Sequence, residues 1–236
     1  VEWNFPNNPD DAIADIAIPI NVGKTLYTVG GTSAVVYGVN TGNTTYCAWT
    51  DGWTSGANTK WWEVEFNTTG YLNLEVSSRQ LSSATGPKNF ALEYKIGAGG
   101  TWTAVPAAPA IVVSASWAGA VLSNISLPVA CENQPSVYLR WIMTTNTPVS
   151  TGTLVAATGT SRIDDVSIRA NDALNHYRSI ATGNWTTLTT WEASPDLVTW
   201  APADFVPNYY AKTITVRSPH TVSITSAIRI DETTIN

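Results

Sequence analysis

Trp61-Trp62-Glu63-Val64-Glu65-Phe66, then Asn67-Thr68-Thr69-Gly70, then Tyr71-Leu72-Asn73-Leu74-Glu75-Val76-Ser77 is the stretch whose reading decides the fold. Two runs of strand-forming residues flank a four-residue break, and both alternate in the period of a strand with one face in a core. Read together, they form a pair around the Asn-Thr-Thr-Gly turn. In the first run Glu63 and Glu65 share a solvated face and Val64 points inward. Trp61 and Trp62 are neighbours and therefore face opposite ways, one into the core and one outward.

Similar runs recur outward from this stretch between Gly, Asn, Pro and Thr-Gly breaks. Ile16, Ile18, Ile20 and Val22 fall on one face of a run that Pro19 confines to a sheet edge. Further strands are expected at Thr25 to Val29, Ala34 to Val39, Ile111 to Val113, Val121 to Leu127, Val137 to Thr144 and Arg162 to Arg169. Phe90 to Ile96 and Thr101 to Val105 make a hairpin across Gly97-Ala98-Gly99-Gly100. No helix of any length is predicted. Residues 1–170 read as one two-sheet β-sandwich, with Trp102, Trp141, Val137, Leu139, Ile163 and Val166 near or in its core. Ile163 and Val166 have opposite parity, which calls for a bulge between them. Composition changes at Ala170-Asn171-Asp172. Residues 171–236 read as a small β unit whose short runs, at Thr213 to Val216, Thr221 to Ile224 and Ile228 to Ile230, are spaced like successive faces of a β-solenoid. The fold class is all-β, a jelly-roll-like sandwich followed by this solenoid-like unit.

The 236 residues include 11 Trp, and charged residues make up 13%, about half the usual share. The net charge of −6 argues against a nucleic-acid partner, which needs a basic face to displace counterions. No apolar run reaches the length of a membrane span. The opening Val1-Glu2-Trp3 reads like a mature, processed secreted protein. The two cysteines, Cys47 and Cys131, are a candidate disulfide in an oxidising compartment. The alternative is two buried thiols.

Catalytic chemistry finds little to stand on. His176 falls in the linker and His220 in a corner between short strands, neither beside a nucleophile motif. Glu63 and Glu65 lie about 7 Å apart by strand rise, a spacing that a solvated strand face produces equally well. Asp164 and Asp165 are adjacent, so strand alternation turns one of them inward, and a buried carboxylate needs a partner or a metal. Asp10, Asp11 and backbone carbonyls complete one candidate oxygen shell for a structural Ca²⁺. The alternative is an Asp held by backbone N–H groups, Arg140 or Arg162. Trp49, Trp53 and Trp62 form a candidate aromatic binding surface. The sequons at Asn43, Asn67, Asn124 and Asn184 read as turn residues.

Tyr94-Lys95-Ile96-Gly97-Ala98-Gly99-Gly100-Thr101-Trp102-Thr103 resembles the Gly-turn, Trp-Thr hairpin of MAM-like jelly rolls, shared by bacterial cleaved-adhesin and choice-of-anchor modules. Val137-Tyr138-Leu139-Arg140-Trp141 resembles their late strand, and Ser161-Arg162-Ile163-Asp164-Asp165-Val166-Ser167-Ile168 their closing strand. Trp3-Asn4-Phe5-Pro6-Asn7-Asn8-Pro9-Asp10 is similar to the start of large secreted proteins of Bacteroidetes-type bacteria. Ser179 to Trp185 with His220-Thr221-Val222 resembles the lead-in to their β-solenoid regions. The resemblance implies extracellular or cell-surface display and adhesion, matrix building or glycan contact, with structural Ca²⁺ frequent in such jelly rolls and no single reaction.

The expected function is therefore a non-enzymatic structural or adhesive module that contacts copies of itself or other surface proteins. The alternative is a carbohydrate-binding module of a larger secreted enzyme, with a glycan as partner. For self-assembly the candidate edges are Ile16, Ile18, Ile20 and Val22 at one end and Ile228, Ile230 and Ile235 at the other, by rung stacking or a donated strand.

Overall fold

The computed structural model describes residues 1–150, 152–230 and 233–235. The chain divides into two compact units, Val1–Thr68 with Leu74–Arg169, and Thr69–Asn73 with Ala170–Asn236. Strands dominate both, and the only helical pieces among the described residues are the 3-10 turns Pro19–Asn21, Val129–Cys131 and Leu188–Thr190.

The sandwich strands are β1 (Glu2–Trp3), β2 (Leu26–Val29), β3 (Val36–Thr41), β4 (Tyr46–Thr50), β5 (Trp61–Phe66), β6 (Tyr71–Ser82), β7 (Asn89–Ile96), β8 (Thr103–Ala104), β9 (Ile111–Val112), β10 (Ala120–Ser126), β11 (Val137–Met143) and β12 (Ser161–Ala173). One sheet has the order β10-β6-β12-β4-β3, with β1 added to β12; the other has the order β2-β5-β11-β7-β8, with β9 added to β7. They are named here for their central strands, β12 and β11. The expected hairpin is present, with Glu93 opposite Ala104 and Tyr94 opposite Thr103.

The deciding stretch itself forms two strands that do not pair. β5 belongs to the β11 sheet and β6 to the β12 sheet, so residues 67–70 carry the chain from one layer to the other. A hairpin turn here is displaced by contacts with distant segments. The Asn67 N–H donates to Asn21 Oδ1 at 2.7 Å. Thr68 is buried, and its hydroxyl donates to the Cys131 carbonyl at 2.6 Å. These partners hold the turn between layers more strongly than local turn chemistry would fold it back.

Inward residues of the two sheets make the core. From the β11 sheet come Trp62, Val64, Phe66, Leu92, Leu139 and Trp141; from the β12 sheet come Leu74, Val76, Ile163, Val166 and Ile168. Trp53 is 5.9 Å from Trp62 and 5.7 Å from Phe90, ring centre to ring centre. The parity conflict in β12 is absorbed at Asp165, whose φ of 49° reverses the alternation so that Ile163 and Val166 are both fully buried.

Ile16 to Val22 is not a strand. Only Ile16 makes a single bridge, to Glu2, and Pro19 opens a 3-10 turn. Pro removes a ladder donor and sets the φ of a tight turn. Ile16, Ile18, Ile20 and Val22 are exposed, but they present no strand edge to extend.

In the C-terminal unit β13 (His176–Ser179), β15 (Trp191–Ser194), β16 (Ala201–Pro202), β17 (Thr213–Val216) and β19 (Thr233–Ile235) form a sheet of order β16-β15-β13-β17-β19. β13, β17 and β19 run parallel, and β14 (Gly183–Asn184) runs parallel to β18 (Val222–Ser223). Parallel stacking of short strands is the solenoid-like pattern. Its core is Tyr177, Trp185, Trp191, Ile214 and Val216, with Val222 and Ile228 packed against it. The indole N–H groups of Trp185 and Trp191 donate to the carbonyls of Pro207 and Trp185 at 2.7 and 2.9 Å, so both rings are buried without stranding a donor. Ile228 to Ile230 forms no strand. Ile230 and Ile235 are exposed; Thr151, Asp231, Glu232 and Asn236 lie outside the described residues.

Candidate functional site

The outer face of the β11 sheet gathers the chemistry. With Trp62, Val64 and Phe66 inward, Trp61, Glu63 and Glu65 must point outward from β5. The register then sets a row across four strands: Tyr27 opposite Glu63, Glu63 opposite Arg140, and Arg140 opposite Glu93. The next row places Glu65 opposite Tyr138 and Tyr138 opposite Lys95.

Arg140 is the hub. Its Nε and Nη2 both donate to Glu93 Oε2, at 2.8 and 2.6 Å. Its guanidinium carbon lies 4.6 Å from the ring centre of Trp61 and 4.3 Å from that of Trp102. The two indoles are 6.3 Å apart and inclined at 68°. Each cation–ring contact of this kind is worth about 0.5–2 kcal/mol. Lys95 Nζ lies 4.7 Å from the Trp102 ring centre and 4.5 Å from that of Tyr138.

Glu63 is buried, at 6% exposure. It accepts from the Tyr27 hydroxyl at 2.7 Å and from the Trp61 indole N–H at 2.5 Å. Burial, reinforced by this carboxylate, pushes the Tyr27 hydroxyl well above the ordinary tyrosine range. Glu65 is tied to Lys24 at 2.9 Å and to the Ser136 hydroxyl at 2.9 Å. The two glutamates are therefore engaged separately, each by its own partners, and nothing pairs them as acid and base.

The face thus carries half-buried aromatic rings held in fixed planes, bordered by carboxylates, a guanidinium and an ammonium. Rings in fixed planes offer apolar contact at little entropic cost, and the charged groups offer hydrogen bonds around their edges. Trp102, expected in the core, is half-buried on this outer face; the hairpin that carries it sets it over Arg140.

Other expected site residues lie elsewhere. Trp53 and Trp62 are fully buried, so they form no binding surface. Trp49 is half-buried on β4 of the β12 sheet, opposite Arg162 of the neighbouring strand β12. The outward tryptophan of the Trp61-Trp62 pair is Trp61. Cys47 and Cys131 are free, buried thiols. The Cys47 thiol donates to the Asn40 carbonyl at 3.4 Å, while Cys131 sits in the 3-10 turn whose carbonyl holds Thr68. Each is fixed among its own neighbours, and no disulfide links them. Burial raises both thiols to about 12.

Asp164 is the fully buried carboxylate of the pair, packed against the turn at Gly42 and Asn43. Its Oδ2 accepts from the Asn43 N–H at 2.6 Å and its Oδ1 from the Asp165 N–H at 2.8 Å. Burial pushes it up to about 7 against these hydrogen bonds, which act in the opposite direction. Asp165 faces Arg79 at 3.4 Å and accepts from the Asn43 amide at 2.9 Å. Asp10 accepts from the N–H groups of Asn7 and Asp11, and Asp11 from that of Ile13. Each pair closes its own loop, and among the described residues no three His, Cys, Asp or Glu side chains gather as a metal site.

No protein-family model and no curated protein matches the chain. Solved structures similar to it include the CBM22-1 xylan-binding domain of Paenibacillus barcinonensis Xyn10C, at 15% identity and TM-score 0.43 over 63% of this chain and 86% of that one. A CBM4 structure aligns at 14% identity and TM-score 0.41, over 70% of this chain and 99% of that one. The K1 cleaved-adhesin domain of Lys-gingipain from Porphyromonas gingivalis aligns at 12% identity and TM-score 0.35, over 73% and 98%. The all-β, two-sheet architecture rests on the strand pairing of the chain itself.

Proposed function

We propose that this chain is a non-catalytic glycan-binding module that acts outside the cell. It holds sugar rings against the outer face of the β11 sheet. The observation that carries the reading is the placement of Trp61 and Trp102 around Arg140, with Glu93 fixing the arginine. A pyranose ring has an apolar face of C–H groups and a rim of hydroxyls. Trp61, Trp102 and Tyr138 match the first; Glu93, Lys95 and Arg140 match the second. The reading takes up the carbohydrate-binding alternative, and the same chemistry would also serve attachment to a polysaccharide surface.

Affinity electrophoresis of the full chain through gels containing xylan, β-glucan, mannan or galactan tests this. Retardation by at least one polysaccharide is expected, and Trp61→Ala with Trp102→Ala is expected to weaken it at least tenfold. A wild-type chain that migrates freely through every gel defeats the reading.

A further inference from the structure

The Trp–Arg–Glu arrangement of the sandwich occurs a second time, in the C-terminal unit. In the sandwich, Arg140 on β11 lies opposite Glu93 on β7, and Glu93 lies opposite Ala104 on β8. Trp102 comes two residues before Ala104 and lies over Arg140. In the C-terminal unit, Arg178 on β13 lies opposite Glu192 on β15, and Glu192 lies opposite Pro202 on β16. Trp200 comes two residues before Pro202, and its ring centre is 3.9 Å from the guanidinium carbon of Arg178. Arg178 Nε donates to Glu192 Oε1. In both hairpins the tryptophan follows a threonine, Thr101 in one and Thr199 in the other.

Packing alone does not explain Trp200. The C-terminal core is closed by Tyr177, Trp185, Trp191, Ile214 and their neighbours, without it. Trp200 is half-buried, and its indole N–H donates to the Leu197 carbonyl at 3.1 Å on an exposed surface. Its loop is held rigid from below. Asp196 Oδ1 accepts from the N–H groups of Val198 and Thr199, each at 2.8 Å, and from the Ser194 hydroxyl at 2.9 Å. Arg217 adds a second cation 3.5 Å from Glu192, so the carboxylate that anchors Arg178 is itself held. Leu197 and Val198, in the same loop, are 55% and 81% exposed. A ring fixed in orientation before the ligand arrives loses little entropy on binding.

We propose that Trp200, Arg178 and Glu192 form a second sugar-binding platform, of the same ligand class as the outer face of the β11 sheet and built to the same plan. The proposal rests on the glycan reading of that face. Two platforms on one chain engage a polymer with greater avidity than either alone.

The test uses the full chain in affinity gels with the same four polysaccharides, comparing wild type, Trp102→Ala, Trp200→Ala, Arg178→Met and the double variant Trp102→Ala/Trp200→Ala. Expected is at least a tenfold loss of retention for Trp200→Ala, a loss in the same direction for Arg178→Met, and free migration of the double variant. Circular dichroism accompanies each variant; should Trp200→Ala prove misfolded, Arg178→Met decides, because it keeps the tryptophan and the Asp196 turn. Retention lost in Trp102→Ala but unchanged in both Trp200→Ala and Arg178→Met leaves the first platform standing and overturns the second. Retention lost only in the C-terminal variants keeps the second and overturns the first. Free migration of the wild type through every gel overturns both.

Discussion

The indole N–H of Trp62, on one sheet of the sandwich, donates across the core to the hydroxyl of Ser161, on the other, at 3.1 Å. Both residues are fully buried. Trp141 repeats the arrangement with Ser78 at 3.0 Å. Small hydroxyls on one layer thus let large indoles of the other sink into the core without an unmet donor. Ser161→Ala strands the Trp62 donor and is expected to cost about 1–3 kcal/mol in urea unfolding. Adding Trp62→Phe should change stability by less than the sum of the two single changes, since the donor is then gone. Additive effects would show that the hydrogen bond contributes little.

Arg140 fixes the planes of two rings, so its loss should be felt in binding more than in folding. Arg140→Lys keeps the charge but loses the planar fork that reaches Glu93 while covering both indoles. Polysaccharide retention should fall several-fold, with a cooperative thermal transition preserved. Retention equal to wild type would remove Arg140 from the site.

Asp164 should make the sandwich sensitive to pH. Its folded value near 7 lies above the unfolded value of about 3.9. Between the two, the folded state holds a proton that the unfolded state has released, so stability falls as pH rises across that window. The cost is complete above the folded value. Between pH 5.5 and pH 8 the loss should be on the order of 2 kcal/mol. Urea midpoints at the two values check this, and the difference should shrink in Asp164→Asn, which carries no titrating group. An equal slope in the variant would assign the effect to other groups.

The two thiols should be inert in the folded protein. Burial both shields them and holds them protonated, and the thiolate is the reactive form. An aromatic disulfide reagent should label neither Cys47 nor Cys131 in the native chain at pH 8 and both in denaturant. A reducing agent should leave the melting temperature unchanged. A fall in that temperature would reveal a bridge.

Strand positions in the sandwich were legible wherever alternation was clean, as at Trp61 to Phe66 and Val137 to Met143, because one buried face imposes a period that shows in the residues. Which strands pair was less so. The Asn67 to Gly70 break looks like a hairpin turn, and only the distant partners Asn21 and Cys131 make it a crossing between layers. The pattern did contain the answer at Trp61 and Trp62. Val64 inward commits Trp62, two residues earlier, to the same side, which leaves Trp61 outside. The Arg140 hub was not legible, because it depends on β11 lying between β5 and β7, a neighbour relation that local spacing does not encode. Ile16 to Val22 alternates like an edge strand, but Pro19 does more than confine it to an edge: it opens a 3-10 turn and the run forms no strand.

The central strand of each sandwich sheet comes late in the chain. β11 separates β5 from β7, and β12 separates β6 from β4. While the chain is being synthesised, therefore, the first hundred or so residues hold strands whose middle partner does not yet exist, and Trp61 to Phe66 waits for Val137 to Met143 before its second edge is covered. A chain released or threaded from its amino end cannot settle sheet by sheet. Both sheets close only once the residues through Arg169 have emerged, so the pairings that complete the sandwich are long-range ones.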